Sequence, residues 1–263
     1  MLRLYKGRKG RHLIMFNNDT IIFQLATHYL PKIALKLESL FITIEDALTE
    51  THPLIHHYAL NNIIDVLKLI EKPELKSRFL KEFMRIEHAL NKSKTVVSDA
   101  SYADLFVQIQ RLNDVAGKFS HSLQRDPFLL ALHLAQTNPN NEFELHPPPL
   151  MLWLENATNI RIQDLSSWLQ ELSMIRDTVN IYLSLLRSSA IFDEIDLPNG
   201  FYQRALPPKT TCHLILLRVK IHSGIIPKIQ LGHHGLSLRI CERKSMNEIR
   251  DTSTKLDLAI CQL

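Results

Sequence analysis

The chain has 263 residues, 45% of them hydrophobic, with 7 glycines and a formal charge of +4. That length can bury a full core as one large domain or two small ones, and so few glycines argue against an all-β protein built from many tight turns. No run of about 18 uninterrupted apolar residues occurs, which argues against a membrane-spanning helix, and the start lacks the pattern of a cleavable signal peptide.

The positive charge is local. Residues 1–14 hold Arg3, Lys6, Arg8, Lys9 and Arg11 and no acid; without these five the body carries 26 bases against 27 acids, a charge of −1. A basic segment of this kind suits nucleic acid or anionic lipid. The plainer reading is an extension that is disordered or not translated, with Met15 as the start. The near-neutral body is not expected to bind polyanions in general. Cys212, Cys241 and Cys261 are odd in number and lie in strand-like segments, the pattern of buried reduced thiols in a cytoplasmic protein.

A short strand is expected from Thr20 to Leu25. The apolar period then changes from two to nearly four: Leu30, Ile33, Leu37, Leu40, Phe41, Ile44 and Leu48 share one helical face. Thr51-His52-Pro53 restarts the chain into a second helix through Ile63, Val66, Leu67 and Ile70. Pro73 opens a third, with Leu75, Phe79, Leu80, Phe83 and Ile86 inward. After a polar connector, Leu105, Phe106, Ile109, Leu112, Ala116 and Phe119 mark a fourth. Asp126-Pro127 is a start signal for a fifth, a capping carboxylate followed by a first-turn proline. It ends by the loop Asn138-Pro139-Asn140-Asn141, and Pro147-Pro148-Pro149 closes a second loop before a short helix, Leu150 to Leu154. Asp164 to Ser189 reads as one long helix, striped by Leu165, Trp168, Leu169, Leu172, Ile175, Val179, Leu183 and Leu186.

Asn199-Gly200 supplies a positive-φ turn that reverses the chain, and Phe201 and Tyr202 follow as large aromatics. From Cys212 onward the period is two. His213, Ile215, Leu217, Val219 and Ile221 share a face, with Arg218, Lys220 and His222 opposite. Leu236, Leu238 and Ile240, then Leu256, Leu258 and Ile260, repeat the alternation. The expected fold class is α+β: an N-terminal helical domain, residues 15–190, then a small antiparallel β-rich domain, residues 191–263. The first strand, 20–25, is expected to join that sheet, and one face of the sheet to be wetter.

Candidate chemistry is sparse. His52, His56 and His57 include an i, i+4 pair with zinc-ligand spacing, but Pro53 lies between them and no third ligand is near, so surface histidines are expected. His233-His234 reads as a solvent-facing turn. Cys212 and His213 are adjacent in a strand and point to opposite faces, so they make no dyad. No catalytic residue, metal site or cofactor is expected. The more informative feature is electrostatic: Arg218, Lys220 and Arg239 fall on the polar side of neighbouring strand candidates, with Lys228 between them. Arginine forks in such a patch suit an acidic peptide or terminal carboxylate. The alternative is a solvated face whose arginines pair with Asp257 or loop acids.

Three stretches carry a resemblance. They are Leu185-Leu186-Arg187-Ser188-Ser189-Ala190-Ile191-Phe192, Asn199-Gly200-Phe201-Tyr202-Gln203 and Leu236-Ser237-Leu238-Arg239-Ile240. A fourth, Pro148-Pro149-Leu150-Met151-Leu152-Trp153-Leu154, is similar to a Leu-Pro-x-Leu-x-x-Trp-Leu element with Pro147 in place of its first leucine. Together they resemble ZapD, a family of FtsZ-associated cell-division proteins of Gram-negative bacteria, from about Phe16 to Leu263. The resemblance implies a homodimer that binds the C-terminal tail of FtsZ and cross-links FtsZ filaments at the mid-cell division ring, in the cytoplasm, without enzymatic activity. It carries a tail-binding role onto Lys36, Arg218 and Arg239; Lys220, Lys228 and Arg125 extend the same basic set. Two positions depart: Gly235 and Phe128 stand where bases are expected, and Arg125 is placed to compensate for Phe128. The alternative function is nucleic-acid binding through residues 1–14, which truncation to Met15 would abolish.

Overall fold

The computed structural model describes residues 19–93, 99–137, 147–206, 212–232 and 235–262. The basic segment 1–14, the Asn138–Asn141 loop and the His233-His234 turn lie outside the described residues. The chain divides into two compact units, Lys32–Leu185 and Met1–Pro31 with Leu186–Leu263.

The elements run β1 (Thr20–Ala26), α1 (Tyr29–Ala47), α2 (Pro53–Ile70), α3 (Glu74–Ser93), α4 (Asp99–Asp114), α5 (Pro127–Thr137), α6 (Pro148–Glu155), α7 (Thr158–Glu171) and α8 (Ser173–Ser188). Six strands follow: β2 (Phe192–Leu197), β3 (Phe201–Ala205), β4 (Cys212–Lys220), β5 (Ile225–Leu231), β6 (Gly235–Glu242) and β7 (Thr254–Gln262). Helices thus precede an antiparallel β region, an α+β fold.

In the helical unit the apolar spacing does the positioning. Leu37, Phe41 and Ile44 of α1 are buried, as are Leu60, Ile63, Ile64, Val66, Leu67 and Ile70 of α2. Phe79 and Phe83 of α3 meet Tyr182 of α8, with the Phe79 and Tyr182 rings edge-to-face at 5.6 Å. The caps follow from local chemistry. Asp126 Oδ1 accepts from the Leu129 amide at 2.9 Å, and Pro127 opens α5, a cap worth about 1 kcal/mol.

Three expectations in this unit are corrected. The fourth helix ends at Asp114, so Ala116 and Phe119 lie beyond it; Gly117, at φ +80°, turns the chain, while Phe119 stays buried and Phe106 is 46% exposed. The long helix is two, α7 and α8, because Leu172 adopts ψ 4° instead of a helical value. Its stripe survives, since Leu172 still donates to Trp168 O and accepts from Arg176 N. His56 is not a surface histidine but fully buried, held by Arg161 and the Glu50 carbonyl.

The β unit contains two sheets rather than one. The first has order β1-β4-β7-β2 and the second β3-β6-β5, with every described pairing antiparallel. They share one core of Ile195, Leu197, Cys212, Ile215, Leu217, Val219, Leu236, Leu238, Ile240, Leu256 and Leu258. Burying one face of each sheet against the other is the sandwich solution to an amphipathic strand. A register shift between Cys212 and Leu214 changes the expected face: Cys212, not His213, joins Ile215 and Leu217 in the core. Ile221 leaves the strand into a single 3₁₀ turn. Nor is one face of β4 wet over its first half: residues 212–217 are buried on both sides.

The Asn199-Gly200 turn does not make a hairpin. Asn199 (φ 54°) and Gly200 (φ 68°) hand the chain from β2 in the first sheet to β3 in the second. A Cβ on Gly200 would lie 2.0 Å from the Ile249 carbonyl oxygen, so only glycine fits there.

Candidate functional site

Strand alternation decides where the cations point. In β6, Leu238 and Ile240 enter the shared core, which turns Arg239 outward on the second sheet. In β4, Leu217 and Val219 enter the same core, which turns Arg218 outward on the first sheet. The two arginines therefore occupy opposite outer faces of the sandwich, and β4 and β6 are not neighbours. The single patch expected from the sequence is split, because alternation fixes a side chain relative to its own strand but not the sheet that strand enters.

The register places Phe201, Arg239 and Lys228 in one row across β3, β6 and β5. The Arg239 guanidinium carbon lies 4.8 Å from the Phe201 ring centroid, a contact of about 0.5–1 kcal/mol at an exposed site. Arg239 Nη1 donates to Glu248 Oε2 at 3.1 Å, and Arg250 Nη2 donates to the same oxygen at 3.2 Å. Glu248 is seated by backbone: Cys241 and Glu248 form a bridge, and the Ile249 amide donates to Ile240 O at 2.9 Å. The hydrogen bond from Arg250 is the main cause holding the Glu248 carboxyl below the usual carboxylate range; desolvation opposes it, and the charges of Arg239, Arg250 and Lys228 add to the lowering. Three cations thus face one carboxylate.

The Arg218 face is different. Its row reads Ile22, Arg218, Asp257 and Glu194. Arg218 Nη1 donates to Asp257 Oδ2 at 3.2 Å, and its guanidinium lies 3.9 Å over the Phe192 ring. Lys255 binds Glu194 at 2.6 Å and reaches Asp196 at 3.8 Å. Acids balance the bases here, as one of the sequence alternatives held. Lys220 is exposed at the end of β4, opposite Thr20. Lys36, on α1, and Arg125, in the 3₁₀ turn before Asp126, are exposed residues of the helical unit.

The two departures have structural reasons. Phe128 stacks on Trp168 at 5.7 Å and 10°, and both rings lie 6.1 Å from Trp153, whose Nε1 donates to Asp164. It is a packing residue, not a vacant basic position. A Cβ on Gly235 would lie 2.6 Å from the Arg204 carbonyl oxygen, so no arginine fits without moving backbone.

Sequence reasoning missed Glu248 and Arg250, which lie between the alternating runs that end at Ile240 and begin at Leu256. Glu248-Ile249-Arg250 alternates like a strand, and that was the available signal. The thiols offer little reactivity: all three cysteines are buried, and burial raises the Cys212 thiol and pushes Cys261 up to about 12. Among the described residues no three His, Cys, Asp or Glu side chains are grouped to hold a metal, and no helix is long and apolar enough to cross a membrane.

The chain is thus an α+β protein that displays charged groups on the outer faces of an antiparallel sandwich. A family profile described as "ZapD: Cell division protein" matches residues 35–239. Among similar proteins, a "Cell division protein ZapD" of Coxiella burnetii is 27% identical over 226 residues, covering 84% of this chain and 88% of its own. Another of that name, from Nitrosomonas europaea, is 24% identical over 263 residues, covering 95% of this chain and all of its own. A third, from Ralstonia nicotianae, is 27% identical over 215 residues. The chain belongs to the ZapD family of cell-division proteins.

Proposed function

We propose that this protein binds the C-terminal tail of FtsZ through the outer face of the second sheet, centred on Arg239. As a cytoplasmic homodimer it then cross-links FtsZ filaments at the division ring, with no catalytic step. The observation that carries the reading is the outer-face row of half-buried Phe201 with exposed Arg239 and Lys228. It offers a guanidinium fork and an ammonium for carboxylates, beside an aromatic ring for an aliphatic side chain. Lys36, Arg125, Arg218 and Lys220 are the remaining candidates; an acid engages Arg218 and Arg239 alike, but the Arg218 side chain is only 27% accessible against 45% and lies on the opposite outer face, which makes it the weaker.

Exposed charges are screened over about 8–10 Å at ordinary ionic strength, so each tail contact is weak and salt-sensitive. A filament displays many tails, and a two-fold dimer offers two equivalent sites, which converts weak contacts into avidity. Leu54, Tyr58, Met151 and Leu152 are exposed apolar side chains of the helical unit that supply area for pairing.

Sedimentation of polymerised FtsZ, intact or lacking its tail, tests the reading. Co-pelleting is expected only with intact FtsZ and falls as salt rises. Arg239→Glu should abolish bundling and leave the dimer intact; unchanged bundling by that variant would sink the assigned site.

A further inference from the structure

We infer that Glu248 is an internal ligand of the Arg239 site, a carboxylate that occupies the guanidinium until the partner's carboxylate displaces it. The inference rests on the Arg239 face being the tail site, and it names how that site is regulated and what it selects.

Three features carry it. Glu248 uses one oxygen for two arginines, Arg239 at 3.1 Å and Arg250 at 3.2 Å. Arg239 therefore gives up one N–H of its fork and keeps the others for a second acceptor. The seat is fixed by backbone: the Ile249 amide donates to Ile240 O, and the Glu242 amide to Asn247 O. Release then needs only a rotamer change, not loop movement. Finally, water reaches the pair, with the Arg239 side chain 45% and the Glu248 side chain 26% accessible. Solvated pairs of this kind are weak enough to exchange.

The arrangement acts as a filter. A segment bearing a carboxylate can take over Arg239 in two-pronged geometry while Lys228 and Arg250 neutralise the displaced Glu248. A neutral or basic segment gains nothing from displacing Glu248 and is left only the N–H groups that Glu248 does not use. The partner is therefore an acidic peptide segment, and Glu248 sets the threshold it must exceed.

The test is a binding titration of a labelled FtsZ C-terminal-tail peptide against the full chain and its variants. Glu248→Gln should tighten binding by about threefold or more and steepen its salt dependence; Glu248→Ala should act in the same direction. Asp251→Asn removes a charge from the same segment away from Arg239, and should change affinity much less. Glu248 variants that bind as wild type or more weakly, while Arg239→Ala loses binding, would overturn the internal-ligand inference and leave the tail site standing. Equal tightening by Asp251→Asn would also overturn it, as a general charge effect. Wild-type binding by Arg239→Ala would overturn the tail-site reading itself.

Discussion

Gly200 ties the turn to the site at the scale of single atoms. Its left-handed φ and its approach to the Ile249 carbonyl let the segment carrying Glu248 run beside Ile240, while the next residue, Phe201, lies under Arg239. A non-glycine residue at such a φ costs about 1–3 kcal/mol before any clash is counted. Gly200→Ala is therefore expected to lower the urea midpoint by at least that equivalent. It should also change tail affinity, because Phe201 and Glu248 shift together. Asn199-Gly200 was readable as a turn from residue type alone. That Gly235 excludes an arginine was not readable, because the atom in the way is the Arg204 carbonyl, brought there by strand pairing.

Buried Arg161 does for the helical unit what no apolar stripe does: it ties together the ends of elements. Its Nε donates to His56 Nδ1 at 3.0 Å, Nη1 to Leu154 O at 2.9 Å and to Asn156 O, and Nη2 to Thr51 O at 3.2 Å. With Nδ1 accepting, His56 carries its proton on Nε2 and donates to Glu50 O at 2.9 Å. The α1–α2 and α6–α7 connections are thereby stapled. Arg161→Met would leave a histidine nitrogen and three carbonyls without this donor, so a loss of about 3 kcal/mol is expected in urea unfolding. Helix stripes were legible because the 3.6 period is local; Leu165 to Leu186 stayed inward even across the break at Leu172. The break was invisible, since no proline or glycine marks it. His56 looked like a metal-spaced surface residue because its partner lies 105 positions away.

For the whole molecule, the change from a helical to a two-residue period announced an α+β chain, but not that its strands sort into two sheets. Which strand joins which sheet depends on a core gathered from β2, β4, β6 and β7, and that is a non-local outcome. Avidity also belongs to this scale. A mixed dimer with Arg239→Glu in one subunit is expected to bind one tail yet fail to bundle filaments, read as co-pelleting without light-scattering increase.

The opposed faces of Arg218 and Arg239 have a thermodynamic consequence. Stacked sheets stand about 10 Å apart, so a short extended segment lying on one outer face does not reach the other. Groups with no shared partner contribute independently, within about 0.5 kcal/mol. A double-mutant cycle on Arg218→Ala and Arg239→Ala should therefore close with almost no coupling energy, whereas the tightening from Glu248→Gln should disappear once Arg239 is alanine.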